Sequence, residues 1–245
     1  MKKMMKRMVL SNTYQQTSKT NEKLLELDPN NSYLARNSRD KLTAEMIRDN
    51  ALSVSGLLVE KVGGPSVKPY QPPGIWEETT SGQGLTKYFV DSGGNQYRRS
   101  LYTFWKRTVP PPAMMTFDAA GRDLCTVERQ KTSTPLQALV MLNDPVLIEA
   151  AQVMALNTLK EGEAKTDEER IVHIFRKLTS RTPDPEEKEK LLTFLKNAEQ
   201  EYNEKEAQKI NELIKVNQSI KAEKLYGLSV LTSLVFNLDE AIVKA

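Results

Sequence analysis

The chain has 245 residues, of which 39% are hydrophobic and 27% charged, with a formal net charge of +3. This length allows one or two globular domains, and the near balance of charge gives no reason to expect a polyanionic partner. A single cysteine excludes an intrachain disulfide and a cysteine-rich zinc site, and a single histidine excludes a histidine-rich metal centre. We therefore expect no metal and no cofactor. The apolar runs are far shorter than the roughly 20 residues of a membrane span, so we expect none.

The first ten residues begin like a signal peptide, but their apolar stretch, Met8–Leu10, is too short for one. An amphipathic helix fits them better, because Met4, Met5, Met8 and Val9 share one helical face. A chain that opens inside a helix is typical of a fragment. We expect this face to be covered by missing N-terminal segments of a longer protein or by a partner protein.

The first long helix is predicted over residues 43–61, because apolar residues recur there at helical spacing and Gly63-Gly64-Pro65 follows as a stop signal. Between Lys61 and Asp123 lie 8 of the 11 glycines and 7 of the 12 prolines, which predicts an irregular middle segment with little regular helix. Within it, residues 96–108 are rich in β-forming side chains. We expect one short strand or an extended rim there.

The part after Cys125 is predicted to be helical. Four helix starts carry capping signals, namely Thr134-Pro135, Asp144-Pro145, Thr166 with Glu169, and Asp184-Pro185. The first two helices should meet at Asn143, and the fourth should run as a long helix or helical pair to Val216. A last helix is expected over about 225–243.

These elements predict a mainly α-helical fold whose Gly/Pro-rich irregular middle carries little β structure. We expect residues 1–245 to form a single helical unit, with a motif-bearing part at 1–160 and a charged helical part at 161–245. The second part holds 14 basic and 17 acidic side chains, so the basic excess lies in the first part.

A series of short motifs runs through the first 145 residues in a fixed order. The motifs are Leu10–Ser18 (LSNTYQQTS), Asp28–Asn31 (DPNN), Leu42–Asp49 (LTAEMIRD), Gly63–Val67 (GGPSV), Arg98–Thr103 (RRSLYT) with Lys106-Arg107, Thr116–Asp118 (TFD), and Thr134–Leu139 (TPLQAL) with Asn143–Pro145 (NDP). Together they resemble domain-of-unknown-function family 1553, the C-terminal domain of planctomycete-type cytochrome-c-domain proteins, truncated at its N-terminal side.

The resemblance implies a full-length protein with a signal peptide and often a c-type cytochrome segment, and hence an extracytoplasmic location, periplasmic or secreted. This chain departs from that pattern, because it contains no Cys-x-x-Cys-His motif. The resemblance implies no established activity.

Three polar residues on the predicted helix 43–61 are candidates for chemistry. Glu45, Arg48 and Asp49 stand at positions i, i+3 and i+4, so two carboxylates and a guanidinium share one face. Such carboxylates, with Asp118, would suit acid/base work on carbohydrate. The alternative is structural and is the one we prefer: Glu45 pairs with Arg48 within the helix, and Asp49 anchors a neighbouring segment.

The segment 98–107 interleaves cations with aromatic rings, a composition that binds anions, sugars or nucleic-acid bases. The candidate binding residues are Arg48, Arg98, Arg99, Tyr102, Trp105 and Arg107. Against this stands a structural role, which we prefer, with the aromatics in the core and the arginines as internal anchors. In particular, we expect the anchors Arg48, Arg99 and Arg107 to meet carboxylates that include Asp49, Asp118 and Glu128.

A Cys125–His173 dyad is disfavoured, because His173 lies in an apolar helical run. With no catalytic constellation favoured over its structural alternative, the sequence favours a non-catalytic accessory or interaction module of a larger extracytoplasmic protein. The alternatives are a carbohydrate-active enzyme using Glu45, Asp49 or Asp118, and a nucleic-acid-binding module. The last is least favoured because the net charge is only +3.

Overall fold

The computed structural model describes residues 1–79, 87–161, 164–203, 210–213 and 220–244. Most of these residues are helical, which confirms the mainly α prediction. The described β structure is one antiparallel pair of two-residue strands, β1 (Asp40–Lys41) and β2 (Val243–Lys244). Asp40 lies opposite Lys244 in this ladder.

The described chain divides into two compact units. The first comprises Met1–Leu42 with the chain end from Ile242, and the second comprises Thr43–Ala241. That residues 1–245 form a single helical unit stays a prediction.

The first unit contains two short helices, α1 (Lys2–Val9) and α2 (Glu22–Leu27), and the β1–β2 ladder. The predicted N-terminal helix is thus present, and none of its residues is buried. Helix α2 begins where Asn21 accepts a hydrogen bond from the Leu24 amide at 2.8 Å.

Helix α3 (Ala44–Ser55) opens the second unit and is shorter than the predicted helix 43–61. Thr43 caps its start, as the sequence indicates. Its end comes at Gly56, which adopts φ of 81° and closes the helix in the left-handed region that glycine tolerates. The prediction placed the stop at Gly63-Gly64 because the apolar spacing continues past Gly56.

The irregular middle contains two short helices, α4 (Ile75–Thr79) and α5 (Pro112–Thr116), and two single-turn 3₁₀ segments, Gly93–Tyr97 and Ser100–Tyr102. Residues 96–108 are therefore a rim with 3₁₀ turns. This rim touches its neighbours through isolated bridges, such as Val67 with Thr103, and no regular strand is described within it.

The helices bounded after Cys125 are α6 (Pro135–Asn143), α7 (Pro145–Lys160), α8 (Asp167–Thr179), α9 (Pro185–Gln200), α10 (Ala222–Phe236) and the short α11 (Asp239–Ile242). The first four begin at the predicted capping signals, whereas α10 begins without a side-chain cap. Complete capping boxes start α6, α8 and α9, and Asp144 caps α7 through the Val146 amide.

Two helix ends differ from the predictions. Helix α9 ends at Gln200, and residues 204–209 and 214–216 of the predicted long helix lie outside the described residues. The last predicted helix, 225–243, begins earlier, at Ala222, and is interrupted after Phe236.

The core of the second unit is built around α10, which packs against α7 and α9. Four of its apolar side chains are fully buried: Leu225, Leu228, Leu231 and Val235. Within the described ranges, no helix alone has the length and apolarity to cross a membrane. Taken together, α6 and α7 have that length and apolarity, but the chain bends by 57° between the two helices.

Candidate functional site

Arg48 ties helix α3 to the irregular middle segment. Its guanidinium donates to the carbonyl oxygens of Arg98 at 3.0 Å and Gln96 at 2.6 Å, and to Ser100 Oγ at 3.2 Å. Burial lowers the pKa of Arg48, and the nearby charges of Asp49 and Asp144 act in the opposite direction. The predicted anchoring role of Arg48 is therefore performed through backbone carbonyls.

Asp49 holds the same segment from the next position of α3. Its Oδ1 accepts a hydrogen bond from the Ser100 amide at 2.7 Å and lies 3.8 Å from Arg48 Nη1. This contact matches the expectation that Asp49 anchors a neighbouring segment. The Asp49 carboxylate is therefore hydrogen-bonded to the backbone of the 3₁₀ turn at Ser100.

Arg98 is the most buried cation of the middle segment, with 2% of its surface exposed. Its guanidinium donates to three carbonyl oxygens and stacks 4.0 Å from the ring centroid of Tyr102. The three acceptors are Lys61 at 2.9 Å, Gly63 at 2.5 Å and Pro65 at 3.0 Å. Arg98 and Tyr102, two candidate binding residues, thus hold the turn at 61–65.

The expectation that Arg99 is an internal anchor was wrong. Its side chain is 56% exposed and pairs with an exposed carboxylate, Glu60, at 3.3 Å. Arg107 is likewise exposed. The backbone is extended between the two 3₁₀ segments, and of these two adjacent arginines the first points inward and the second outward. Sequence spacing alone does not distinguish them.

Glu45 pairs with Arg129, a residue 84 positions away, in place of the expected partner Arg48. The two side chains form a bidentate contact with distances of 2.6 and 3.1 Å. Burial is the largest single influence and raises the pKa of Glu45, but the hydrogen bonds and charge of Arg129, together with hydrogen bonds from the Glu45 amide and Thr43, lower it by more in sum, so the pKa lies below its ordinary value. Glu45 is therefore a carboxylate at neutral pH and is unsuited to act as a general acid.

Asp118 and Trp105 lie near the loop that follows α5. Asp118 accepts hydrogen bonds from the amide and hydroxyl of Thr132, at 2.8 and 2.9 Å. Trp105 donates to the Gly121 carbonyl at 3.1 Å, with the Arg122 guanidinium 4.3 Å from its ring centroid. Asp118, Arg122 and Arg129 border an open groove of about 460 Å³. Asp118 thus borders the same groove as Arg129, the partner of Glu45, whereas Asp49 is bonded to the Ser100 amide.

A second, smaller cavity lies where α3, α5 and the α6–α7 junction meet. Its volume is about 60 Å³, and most of its walls are apolar, with Ile47, Met114, Phe117 and Leu147 among them. Four polar residues complete the lining: Arg48, Gln71, Thr103 and Asp144. Of these, Arg48 was predicted as a binding residue and Asp144 as a helix cap, whereas Gln71 and Thr103 were not predicted as site residues.

Comparison with known proteins gives one match. The family model described as PSD1, protein of unknown function (DUF1553), matches residues 1–195, about four fifths of the chain. The chain belongs to this family. No curated protein and no solved structure matches it.

The DUF1553 match covers every candidate residue named above and ends within α9, before the core helix α10. The resemblance drawn from the short motifs is thus confirmed. The motif residues Arg48, Asp49 and Arg98 hold the backbone of this DUF1553 domain, whereas the motif residue Arg99 is exposed.

The remaining candidates of the DUF1553 chain lie apart from these networks. Cys125 is exposed, and His173 on α8 lies 3.5 Å from the Glu161 carboxylate. Within the described ranges, no group of three His, Cys, Asp or Glu side chains is placed to hold a metal ion.

Proposed function

We propose that this DUF1553 domain is a non-catalytic accessory or interaction module of a larger extracytoplasmic protein. The observation that carries this proposal is an exposed row of leucines on α6. Leu136, Leu139 and Leu142 follow one another at a spacing of three residues and are 56%, 56% and 44% exposed. We call this row the α6 leucine face.

The other side of α6 packs inward, because Gln137 and Met141 are buried. Apart from Gln137, whose amide donates to the Thr116 carbonyl and to Thr132 Oγ1, the helix is apolar on both sides, a pattern that is typical of a helix enclosed by protein. An exposed row of large apolar side chains on such a helix is typical of a protein–protein contact. Its partner would present a complementary apolar surface, from another segment of a longer protein or from a second protein.

The first unit offers a second surface of this kind. Helix α1 exposes Met4, Met5, Met8 and Val9, the same residues that the sequence places on one face. None of the eight residues of α1 is buried. This surface supports the same proposal independently of the α6 leucine face.

The environment of the carboxylates argues against the carbohydrate-active alternative. Glu45 is held by Arg129, Asp49 by the Ser100 amide and Asp118 by Thr132. A catalytic pair needs one carboxyl group that is protonated at the working pH. Glu45, with its lowered pKa, does not meet this need. The nucleic-acid alternative is disfavoured further because Arg98, the central cation of its candidate segment, is buried.

Site-specific photo-crosslinking in cells that naturally make the protein tests the proposal. A photoreactive residue at position 139 should give a discrete crosslinked species, because this position lies at the centre of the α6 leucine face. Position 190 on α9 provides the control, since Lys190 is well exposed and pairs with Glu186 on the same helix. Equal crosslinking at the two positions would contradict the proposal.

The purified chain also separates the proposal from the enzyme alternative. Incubated with a panel of polysaccharides, it should release no reducing sugar. Release that disappears in Asp118→Asn, with the thermal unfolding midpoint unchanged, would favour the carbohydrate-active enzyme instead.

A further inference from the structure

Gln71 lines the cavity of about 60 Å³, and its side-chain amide has a fixed orientation. Gln71 is 5% exposed, and its Oε1 accepts a hydrogen bond from Trp76 Nε1 at 3.1 Å. An indole N–H can only donate, so the carbonyl end of the amide must face Trp76. The amide nitrogen, Nε2, is thereby left as a buried donor that has no hydrogen-bond partner among the described residues.

The Gln71 amide has little freedom to turn away. Trp76 is fully buried, and its ring lies 5.0 Å from that of Tyr88 and 5.9 Å from that of Phe104, measured between centroids. Lys106 Nζ lies 4.5 Å from the centroid of the same ring. A turn of the Gln71 amide would break its bond to an indole that is itself held on several sides.

Thr103 provides a second buried polar atom in the same lining. The residue is 4% exposed, and its Oγ1 has no hydrogen-bond partner within the described part of the chain. Its backbone is fixed, because its amide donates to the Ser100 carbonyl at 3.1 Å and the next amide, Phe104, donates to Val67 at 2.7 Å. A buried polar atom without a hydrogen-bond partner is unfavourable. The Gln71 amide nitrogen and the Thr103 hydroxyl are two such atoms on residues that line the same cavity, and together they indicate a polar occupant.

The charges around the cavity favour an uncharged occupant. Arg48 and Asp144 both line it, with Asp49 3.8 Å from Arg48, so the positive charge is already offset. Burial raises the pKa of Asp144, despite hydrogen bonds from the Val146 and Leu147 amides and the charge of Arg48. A further anion would lie close to this carboxylate, and a further cation would meet Arg48.

The size of the cavity limits the occupant further. At about 10–15 Å³ for each water-sized atom, about 60 Å³ admits roughly four to six non-hydrogen atoms. Tyr70, another lining residue, is 37% exposed, so the cavity reaches the surface beside it. A small group can therefore enter while the rest of a larger molecule stays outside.

We propose that this cavity is a binding site for a small uncharged amide group, either free or at the end of a larger molecule. The Gln71 Nε2 donates to the carbonyl oxygen of the amide, Thr103 Oγ1 supplies the second hydrogen bond, and the apolar walls hold a methyl group. This site does not depend on the proposed interaction function.

Methyl NMR of the chain labelled at its methionine methyl groups tests the site, with acetamide as the probe. Met114 lines the cavity, whereas Met154 is buried in α7 away from it. Acetamide should shift the Met114 signal to saturation and leave the Met154 signal unchanged. Acetate, which has nearly the same shape but a negative charge, should give no saturable shift.

Matched variants test whether the Thr103 hydroxyl contributes to acetamide binding. Thr103→Val should weaken acetamide binding about tenfold, the effect of losing one hydrogen bond. Thr232→Val is the control, because Thr232 is also buried but bonds to the Leu228 carbonyl in α10. Ala113→Leu should fill the cavity, abolish the shift and leave the thermal unfolding midpoint equal or higher.

Two further compounds identify the source of the amide. N-acetylglucosamine, with glucose as its control, and N-acetyl-lysine present the same acetamido group on different bodies. If one of them binds more tightly than acetamide, the sugar or the amino acid that carries its acetamido group makes additional contacts outside the cavity. If neither binds more tightly than acetamide, the natural ligand is a free amide. The proposal is overturned if Met114 shows no saturation with acetamide, which indicates water alone in the cavity, or if Thr103→Val binds acetamide as the wild type does.

Discussion

Two regions of the second unit are held together in different ways. The helical region, residues 145–161, 164–203, 210–213 and 220–236, is stabilised by helix hydrogen bonds and by apolar packing around α10. The irregular region, residues 61–79 and 87–123, has few elements of regular structure, and side chains supply many of its hydrogen bonds. Three of these side chains, Arg48, Asp49 and Arg98, bond directly to its backbone.

The difference between the regions lies in where the backbone groups find partners. A helix satisfies its own amides and carbonyls, so its stability is distributed over many equivalent contacts. An irregular segment must find other partners for its buried backbone groups, and here a few charged side chains serve. We therefore expect substitutions at a few residues of the irregular region to lower the free energy of unfolding strongly. In the helical region, the losses should be more similar from residue to residue.

The largest effect is expected at Arg98. Arg98→Ala removes the donor for three carbonyl oxygens, at Lys61, Gly63 and Pro65, and the cation on Tyr102. Charge-assisted hydrogen bonds contribute about 1.5–3 kcal/mol each, and truncation also leaves a cavity. We expect a loss of at least about 3 kcal/mol in the free energy of unfolding, measured by urea denaturation.

The adjacent residue supplies the control. Arg99→Ala removes an exposed pair with Glu60, which we expect to change the free energy of unfolding by less than about 0.5 kcal/mol. If the two alanine variants are equally stable, the irregular region is not held at single residues, and the contrast with the helical region fails.

A smaller effect is expected at Gly227, in the middle of α10. Helix propensity alone predicts that Gly227→Ala stabilises the protein by up to about 1 kcal/mol. The structure predicts the opposite, because an added Cβ would lie 2.6 Å from Glu199 Cγ and 3.1 Å from Leu195 Cδ1. We expect a loss of about 1–3 kcal/mol in the urea-denaturation free energy, the usual cost of overpacking.

A double-mutant cycle identifies the clash. Glu199→Ala removes the atom that lies nearest to the added Cβ, so Gly227→Ala should be less destabilising in that background. The Lys224 ammonium keeps its contact with Asp167 in this background. Additive effects of the two substitutions would show that α9 and α10 adjust freely, and the helical region would then be looser than its packing suggests.

The sequence predicts the helical region well because its signals are local. Thr166 with Glu169, and Asp184 with Glu187, form the capping boxes that the residue types indicate. The close approach of Gly227 to α9 carries no local signal. It depends on how two helices that are distant in sequence pack together.

The irregular region and its candidate site were predicted less well for the same reason. The cation-rich pattern at 98–107 marks an important segment, but the partners of Arg98 are carbonyl oxygens, which every residue has and no sequence pattern reveals. The pairing of Glu45 with Arg129 spans 84 positions. Gln71 and Thr103 are ordinary residues until the fold places them on one cavity.

The smallest expected effect concerns pH and the ends of the helical region. Arg181 contacts Glu187 at 2.7 and 2.6 Å, and these hydrogen bonds lower the pKa of Glu187 from 4.5 to about 2. A carboxylate whose pKa is lowered by folding contributes stability above its ordinary pKa and loses it as the pH falls towards the lowered value. The side chain is 34% exposed, so screening limits the contribution to about 1 kcal/mol.

Glu187→Gln isolates this contribution, because glutamine can also form the capping box with Asp184 but lacks the charge. Urea denaturation at pH 6 should show the variant less stable than the wild type, and the difference should vanish between pH 4.5 and about 2. Glu186→Gln, at a more exposed pair with Lys190, should show a smaller difference. A constant difference for Glu187→Gln at all pH values would mean that packing, and not the ion pair, fixes the start of α9. Stability in the helical region would then be spread even more evenly than its hydrogen bonds suggest, which would sharpen the contrast with Arg98.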